Sequence, residues 1–237
     1  MRIHYLQHVP FENPGSILIW AANNNYSVTS TQLYNNEEFP EQEEFDWLVI
    51  MGGPMNIYQE DLYPWLAKEK QFIKEAIHLN KFIVGLCLGG QLIADAIGGR
   101  VIQNHCKEIG WFPVMMSDQA LASPYFSFFP KNPMVFQWHG DTFVDLPKEA
   151  IMIAGNEACT NQAFLYRDRV FGFQFHLENM MTIIKDLILN CSDEMVFDLY
   201  VQSEEELISH PEYIEADNQL MTMLLTKMAI AYENEYK

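Results

Sequence analysis

KFIVGLCLGGQLIADAIGG, Lys81–Gly99, joins an apolar run (Phe82-Ile83-Val84) to a helix-like segment (Gln91–Ile97) through Gly85-Leu86-Cys87-Leu88-Gly89-Gly90. A short apolar run closed by glycine reads as a buried strand. Small residues beyond it let a helix start hard against that strand. A cysteine at such a strand–turn–helix junction stands where a nucleophile elbow places its reactive residue. Gly85 and Gly89 lie two residues either side of Cys87 and allow the turn residue a strained backbone angle. The helix begins just past the sulfur, so its amide dipoles are expected to favour thiolate over thiol. Taken alone, the stretch also admits a buried structural cysteine at a tight turn.

The neighbouring sequence repeats the alternation. Strand signals at Ile3–His8, Ser27–Leu33, Phe45–Met51 and Lys81–Leu86 are separated by helix signals after Pro14-Gly15 and over Pro64–Asn80. Strand–helix alternation of this kind predicts an α/β fold: an open, mostly parallel central sheet with helices on both faces. In such sheets functional residues collect at the carboxyl ends of strands, where Gly52-Gly53-Pro54 and Cys87 both fall. From Gly110 to His176 the pattern becomes short β runs at Trp111–Met115, Met134–Trp138, Ala150–Ala154, Ala163–Tyr166 and Val170–Phe175. The final stretch, 191–237, reads as two or three acidic helices with Pro211 between them, a short C-terminal extension packed on the 1–190 domain whose charge reads as a solvated helical face or, as the alternative, a docking surface for a basic partner.

Composition narrows the function classes. Half of the 237 residues are hydrophobic (49%), enough for a sizeable core, and the net charge of −18 opposes binding to nucleic acid or an anionic membrane surface. No apolar stretch approaches the roughly 18 residues a membrane helix needs. Four scattered cysteines (Cys87, Cys106, Cys159, Cys191) form no C-x-x-C pair, which argues against a disulfide framework or structural zinc and for a reducing cytoplasm.

A second constellation gives the cysteine a partner. VFGFQFHLEN, Val170–Asn179, sets His176 and Glu178 two residues apart, so on an extended strand both face the same way. Glu178 can then orient the imidazole that takes the Cys87 proton, the logic of a Cys-His-Glu triad. The amides of Leu88 and of the Gly52-Gly53 turn are candidate oxyanion donors. Cys106, beside His105, reads as structural, since adjacent strand residues face opposite ways.

With these residues in view the chain resembles the class I (triad) glutamine amidotransferases, which have a flavodoxin-like fold. The matching motifs are MGGPM (Met51–Met55), GLCLGGQLIADAIGG (Gly85–Gly99), KEIGW (Lys107–Trp111), QWHGD (Gln137–Asp141) and GFQFHLE (Gly172–Glu178), in matching order and spacing over about residues 1–190. The likeness is greatest to stand-alone members similar to the amidotransferase domain of GMP synthetase. It implies Cys87 as nucleophile, His176 as general base and acid, Glu178 as orienter, and Gly53 and Leu88 as oxyanion donors. It implies substrate contacts at Gly52, Gln91, Gln137, Trp138 and His139. His139 could instead ligate a metal with Asp141, but no third ligand is spaced to join them, so neither a metal nor any other cofactor is expected. Leu177 stands where the family usually has Pro. No ATP-pyrophosphatase domain is expected, because the C-terminal helices are too short to form one. The implied activity is hydrolysis of the glutamine side-chain amide, and the possible partner is a separate synthase subunit. The alternatives are a γ-glutamyl peptidase or hydrolase, and a non-catalytic binding protein of the same fold.

Overall fold

The computed structural model describes residues 1–236. Its strands and helices alternate as β1 (Arg2–Gln7), α1 (Ser16–Asn23), β2 (Ser27–Gln32), β3 (Trp47–Ile50), α2 (Trp65–His78), β4 (Phe82–Leu86) and α3 (Leu88–Ala96). There follow β5 (Arg100–Pro113), β6 (Met115–Met116), α4 (Asp118–Leu121), β7 (Met134–Val144), β8 (Ala150–Gly155), β9 (Ala163–Tyr166) and β10 (Val170–Phe173). The chain ends in α5 (Met181–Cys191), α6 (Glu204–Ile208) and α7 (Pro211–Tyr236). One eight-stranded sheet runs β2-β1-β3-β4-β10-β9-β8-β6. It is parallel from β2 through β10 and antiparallel from β10 to its β6 edge. The mostly parallel α/β sheet is therefore as expected.

Strand periodicity sorts the core onto two faces. Trp47, Val49, Phe82 and Val84 point to one face and pack with Ile17 and Trp20 of α1 and Met221, Leu224, Leu225 and Met228 of α7. Leu48, Ile50 and Ile83 point to the other, against Leu66, Ile73 and Ala76 of α2 and Leu92 and Ile93 of α3. Each such side chain, fully buried, contributes about 1.5–3 kcal/mol. The acidic C-terminal segment is thus built into the core of the domain through α7, whose Thr226 hydroxyl accepts a hydrogen bond from Trp20 Nε1 at 3.1 Å. Lys237, the last residue of the expected extension, lies outside the described residues.

The short run expected at Trp111–Met115 is divided between the end of β5 and the two-residue β6, and the run at Met134–Trp138 opens the longer β7. β5 and β7 form a separate antiparallel ribbon with a register shift between Gln103 and Glu108. Apolar residues of this ribbon (Ile109, Trp111, Phe136, Trp138) pack on Ile183, Ile184 and Leu187 of α5 and on Leu207 of α6. The ribbon carries the KEIGW and QWHGD segments to the site described below.

The turn between β4 and α3 leaves no room for side chains on its glycines. A Cβ on Gly89 would lie 2.1 Å from the Ile50 carbonyl oxygen, a rigid backbone atom. Gly89→Ala should therefore lower the thermal midpoint by at least about 6 °C. Gly140→Ala, whose Cβ would meet nothing nearer than the Lys107 side chain at 3.5 Å, should leave it nearly unchanged in the same scan.

Candidate active site

Cys87 occupies the turn itself. Its backbone sits at φ 51°, ψ −107°, a region that costs a non-glycine residue on the order of 1–3 kcal/mol. Two hydrogen bonds hold it there: its N–H donates to Phe173 O at 2.8 Å, and its carbonyl accepts from Gln91 N at 3.1 Å, opening α3. The thiol reaches Trp138 O at 3.5 Å and accepts from Gln174 Nε2 at 3.6 Å.

His176 and Glu178 meet Cys87 from beyond the end of β10, where His176 keeps a single antiparallel bridge to Phe136 and Leu177 and Glu178 turn in a bend instead of continuing the strand. The expectation of strand alternation is corrected, although the pair it predicted does form: His176 Nδ1 donates to Glu178 Oε1 at 2.7 Å. The bend is pinned from several sides. His176 N donates to Phe136 O at 2.9 Å, and Ser16 N donates to Glu178 O at 2.9 Å. Asn218 of α7 donates its side-chain amide to both Leu177 O (3.0 Å) and Asn179 O (2.9 Å), bracketing Glu178. Leu177, fully buried in the core, anchors the position where the family usually has Pro.

The loop after β1 supports the glycine turn. His8 is fully buried and donates from Nδ1 to Gly52 O (2.9 Å) and from Nε2 to Glu69 Oε1 (2.8 Å). Two acceptors on one imidazole require both ring nitrogens to carry protons. Burial opposes that charge, but Glu69 and the Gly52 carbonyl raise the His8 pKa above its ordinary value. Both partners therefore favour the charged form of the ring that lies behind the turn. A Cβ on Gly53 would lie 3.1 Å from Leu88 Cδ2, so the two expected oxyanion donors are neighbours.

A cavity of about 270 Å³ opens over Cys87 and His176, and Gly53, Gln91, Trp138 and His139 are in its wall. Lys107, Asp141 and Glu194 add charge to it. Of the expected substrate contacts, Gly52 and Gln137 do not reach this wall; Gln137 is fully buried with its carboxamide unpaired. Two residues at the site were not anticipated. Gln174, inside the GFQFHLE motif, bridges Gln91 (3.2 Å) to the sulfur. Glu12, from the β1–α1 loop, places a buried carboxyl in the cavity.

The electrostatics differ from the expectation drawn from the helix dipole. Burial pushes the Cys87 thiol above its ordinary pKa, and the hydrogen bond and charge of His176 and the Leu88 N–H offset this only in part. For His176, burial works against a charged ring, yet the Glu178 charge and the bonds to Cys87 and Glu178 hold its pKa well above the ordinary value. The group that most favours a Cys87 thiolate is therefore His176, ahead of the Leu88 N–H at the start of α3.

A second Cys/His/Glu cluster lies nearby. Glu108, His139 and Cys159 bring one ligand atom each within 4.8 Å of one another, a set that could in principle hold a metal. Glu108, however, already accepts from Asn156 (2.7 Å) and Gln162 (2.8 Å) and pairs with His139 Nε2 (3.0 Å). Cys159 shares a hydrogen bond with Thr142 at 3.1 Å and donates to Asn161 O at 3.4 Å. Asp141, the partner expected for His139 in a metal reading, instead accepts from Asn56 at 2.7 Å. Burial pushes the Cys159 thiol up to about 11, and its side chain does not face the cavity. The cluster is a hydrogen-bonded knot that fixes the ribbon: its thiol is turned away from the cavity, and His139, which lines the cavity, is positioned by Glu108 and by Asp141 O at 3.0 Å. At neutral pH iodoacetamide should alkylate Cys87 before Cys159. His176→Ala should slow Cys87 by about tenfold or more, without changing Cys159, in a peptide-mapped time course.

A family model described as "Glutamine amidotransferase class-I" matches residues 17–192. A glutamine amidotransferase-like protein of Salmonella typhimurium, YfeJ, is 33% identical over 199 residues, covering 82% of this chain and 83% of the relative. Two weaker likenesses carry different names. A glutamine-hydrolysing GMP synthase subunit of Picrophilus torridus is 28% identical (73% of this chain, 90% of the relative). Gamma-glutamyl peptidase 4 of Arabidopsis thaliana is 29% identical (64% and 62%). The crystal structure of a glutamine amidotransferase from Thermotoga maritima superposes with a TM-score of 0.87 at 31% identity, over 96% of this chain and 97% of that one. The chain belongs to the class I glutamine amidotransferases.

Proposed function

We propose that this protein hydrolyses the side-chain amide of glutamine through a γ-glutamyl thioester on Cys87. The observation that carries the reading is the meeting, over one cavity, of a strained elbow cysteine and a histidine held 2.7 Å from a buried glutamate. In this mechanism His176 takes the Cys87 proton, and the sulfur attacks the amide carbon. The amides of Gly53 and Leu88 receive the developing oxyanion, each worth about 10²–10³ in rate. His176 then protonates the departing nitrogen, and water, activated by the same ring, releases glutamate. The cavity is of amino-acid size, just below the range of drug-sized pockets (about 300–1,000 Å³). Lys107, Asp141 and Glu194 offer it both signs of charge for the amino-acid end.

A second reading, cleavage of γ-glutamyl peptides with an amine as leaving group, draws support from the likeness to gamma-glutamyl peptidase 4. Delivery of ammonia to a separate synthase subunit draws support from the likeness to the Picrophilus GMP synthase component. Both use the same acylation chemistry. No helix among the described residues is long and apolar enough to cross a membrane, and the four cysteines are free thiols, which suits a reducing cytoplasm.

Glutamate release from glutamine and from γ-glutamyl dipeptides tests the reading. Cys87→Ala should abolish it, and Glu178→Gln should lower kcat by about 10²–10⁴-fold with a smaller change in KM. Turnover by Cys87→Ala at the wild-type rate would reject the mechanism, and dipeptide-only activity would move the assignment to the peptidase.

A further inference from the structure

We infer that Glu12 is the leaving-group subsite of this cavity: its carboxyl hydrogen-bonds the nitrogen that departs from the γ-carbon and sends it out as an ammonium ion. The inference rests on the Cys87–His176 chemistry proposed above.

Glu12 is 6% exposed and lines the cavity, and its carboxyl makes no hydrogen bond to another described residue. Buried carboxyls are normally paired, so one left open toward a reactive centre marks a ligand site. Its position relative to the chemistry is set by Gly52. The point where a Cβ on Gly52 would sit lies 2.2 Å from Glu12 Oε2 and 3.3 Å from His176 Cε1. Glu12 is thus beside the ring that must face the departing nitrogen.

The loop is held in that place. Gln7 Nε2 donates to Val9 O (2.9 Å) and Pro10 O (3.2 Å), and Gly15 N donates to Asn13 Oδ1 (3.0 Å). A Cβ on Gly15 would lie 2.2 Å from Glu178 O, so the loop abuts the backbone of the orienting glutamate.

Two protons reach the leaving nitrogen. As the sulfur–carbon bond forms and the carbon–nitrogen bond breaks, the electron pair goes to nitrogen and His176 supplies one proton, giving a neutral amine. The Glu12 carboxyl supplies a second, leaving a carboxylate paired with the ammonium product. When that product leaves, solvent returns a proton to Glu12.

Burial pushes the Glu12 carboxyl up to about 7, with His176 and His8 pulling it down and Glu178 and Glu194 pushing it further up. Cys87 faces it as well, and a charged Glu12 disfavours its thiolate. A protonated amine cannot attack the thioester, so the subsite favours hydrolysis over transfer. It also favours substrates with basic leaving groups, ammonia or alkylamines, over aryl amines.

The test compares wild type, Glu12→Gln and Glu12→Ala on glutamine and on γ-glutamyl-p-nitroanilide, whose weakly basic amine takes no second proton. Both variants should lose about tenfold or more in kcat/KM on glutamine and less than about threefold on the anilide. The pH dependence near 7 should flatten, and added hydroxylamine should capture more acyl-enzyme as hydroxamate. Equal losses on both substrates would mean a structural role and overturn the proposal, as would no loss on glutamine. A wild type inert on both amides would overturn the underlying chemistry and the subsite with it. Because the folded-state pKa of Glu12 is raised, its burial costs stability as pH rises above the ordinary carboxylate range. Glu12→Gln should therefore melt higher than wild type at pH 8 and alike at pH 4, which also shows that the variant folds.

Discussion

The turn at Cys87 depends on backbone meeting backbone. β4 and α3 come together at Gly85 and Gly89, and the carbonyl of Ile50 on β3 closes the remaining space. There is no room for a side chain on either glycine, and the residue between them sits at φ 51° with its side chain at the carboxyl end of the sheet. Phe173 O, on β10, ties the same residue to the strand that leads into His176. The sheet order therefore does more than make a core. It puts the sulfur-bearing turn and the histidine-bearing bend on adjacent parallel strands, within reach of one cavity.

Burial sets the chemistry of that cavity. It raises the thiol, opposes the imidazolium and raises the Glu12 carboxyl, and each effect is met by a specific neighbour. Glu178 supports His176, and His176 supports Cys87, so ionisation belongs to the group and not to a lone sulfur. His8, whose charged form Glu69 and the Gly52 carbonyl favour against the cost of burial, holds the Gly52-Gly53 turn from behind. Such pre-organisation exerts its full effect only in a dry site, where charges act through a low effective dielectric.

The alternating sheet and helices were legible in the chain because hydrophobic period and glycine punctuation are local signals. That Cys87, His176 and Glu178 come together was legible because their motifs are local too, even though the strand expected to carry His176 and Glu178 ends at Phe173. What escaped was carried by contacts distant in sequence. Asn218 braces Leu177 and Asn179 from a helix that reads, by composition, as a solvated acidic face. Glu12 sits in a loop with no motif of its own, and its approach to His176 appears only when β1 and the region after β10 are assembled. The Glu108–His139–Cys159 knot joins three separate strands and loops, so no spacing could announce it. The pairing of β5 with β7 alone was hidden for the same reason, since periodicity marks strands but not their partners.

The central claim is that the acyl group is carried by Cys87 and by no other thiol. Rapid acid quench of the enzyme during turnover of glutamine, followed by peptide mapping, measures it directly. The account predicts a γ-glutamyl adduct confined to the peptide bearing Cys87, in greater amount when deacylation is slowed by Glu178→Gln. An adduct on Cys159 instead, or steady turnover with no acylated thiol at any time point, would contradict it.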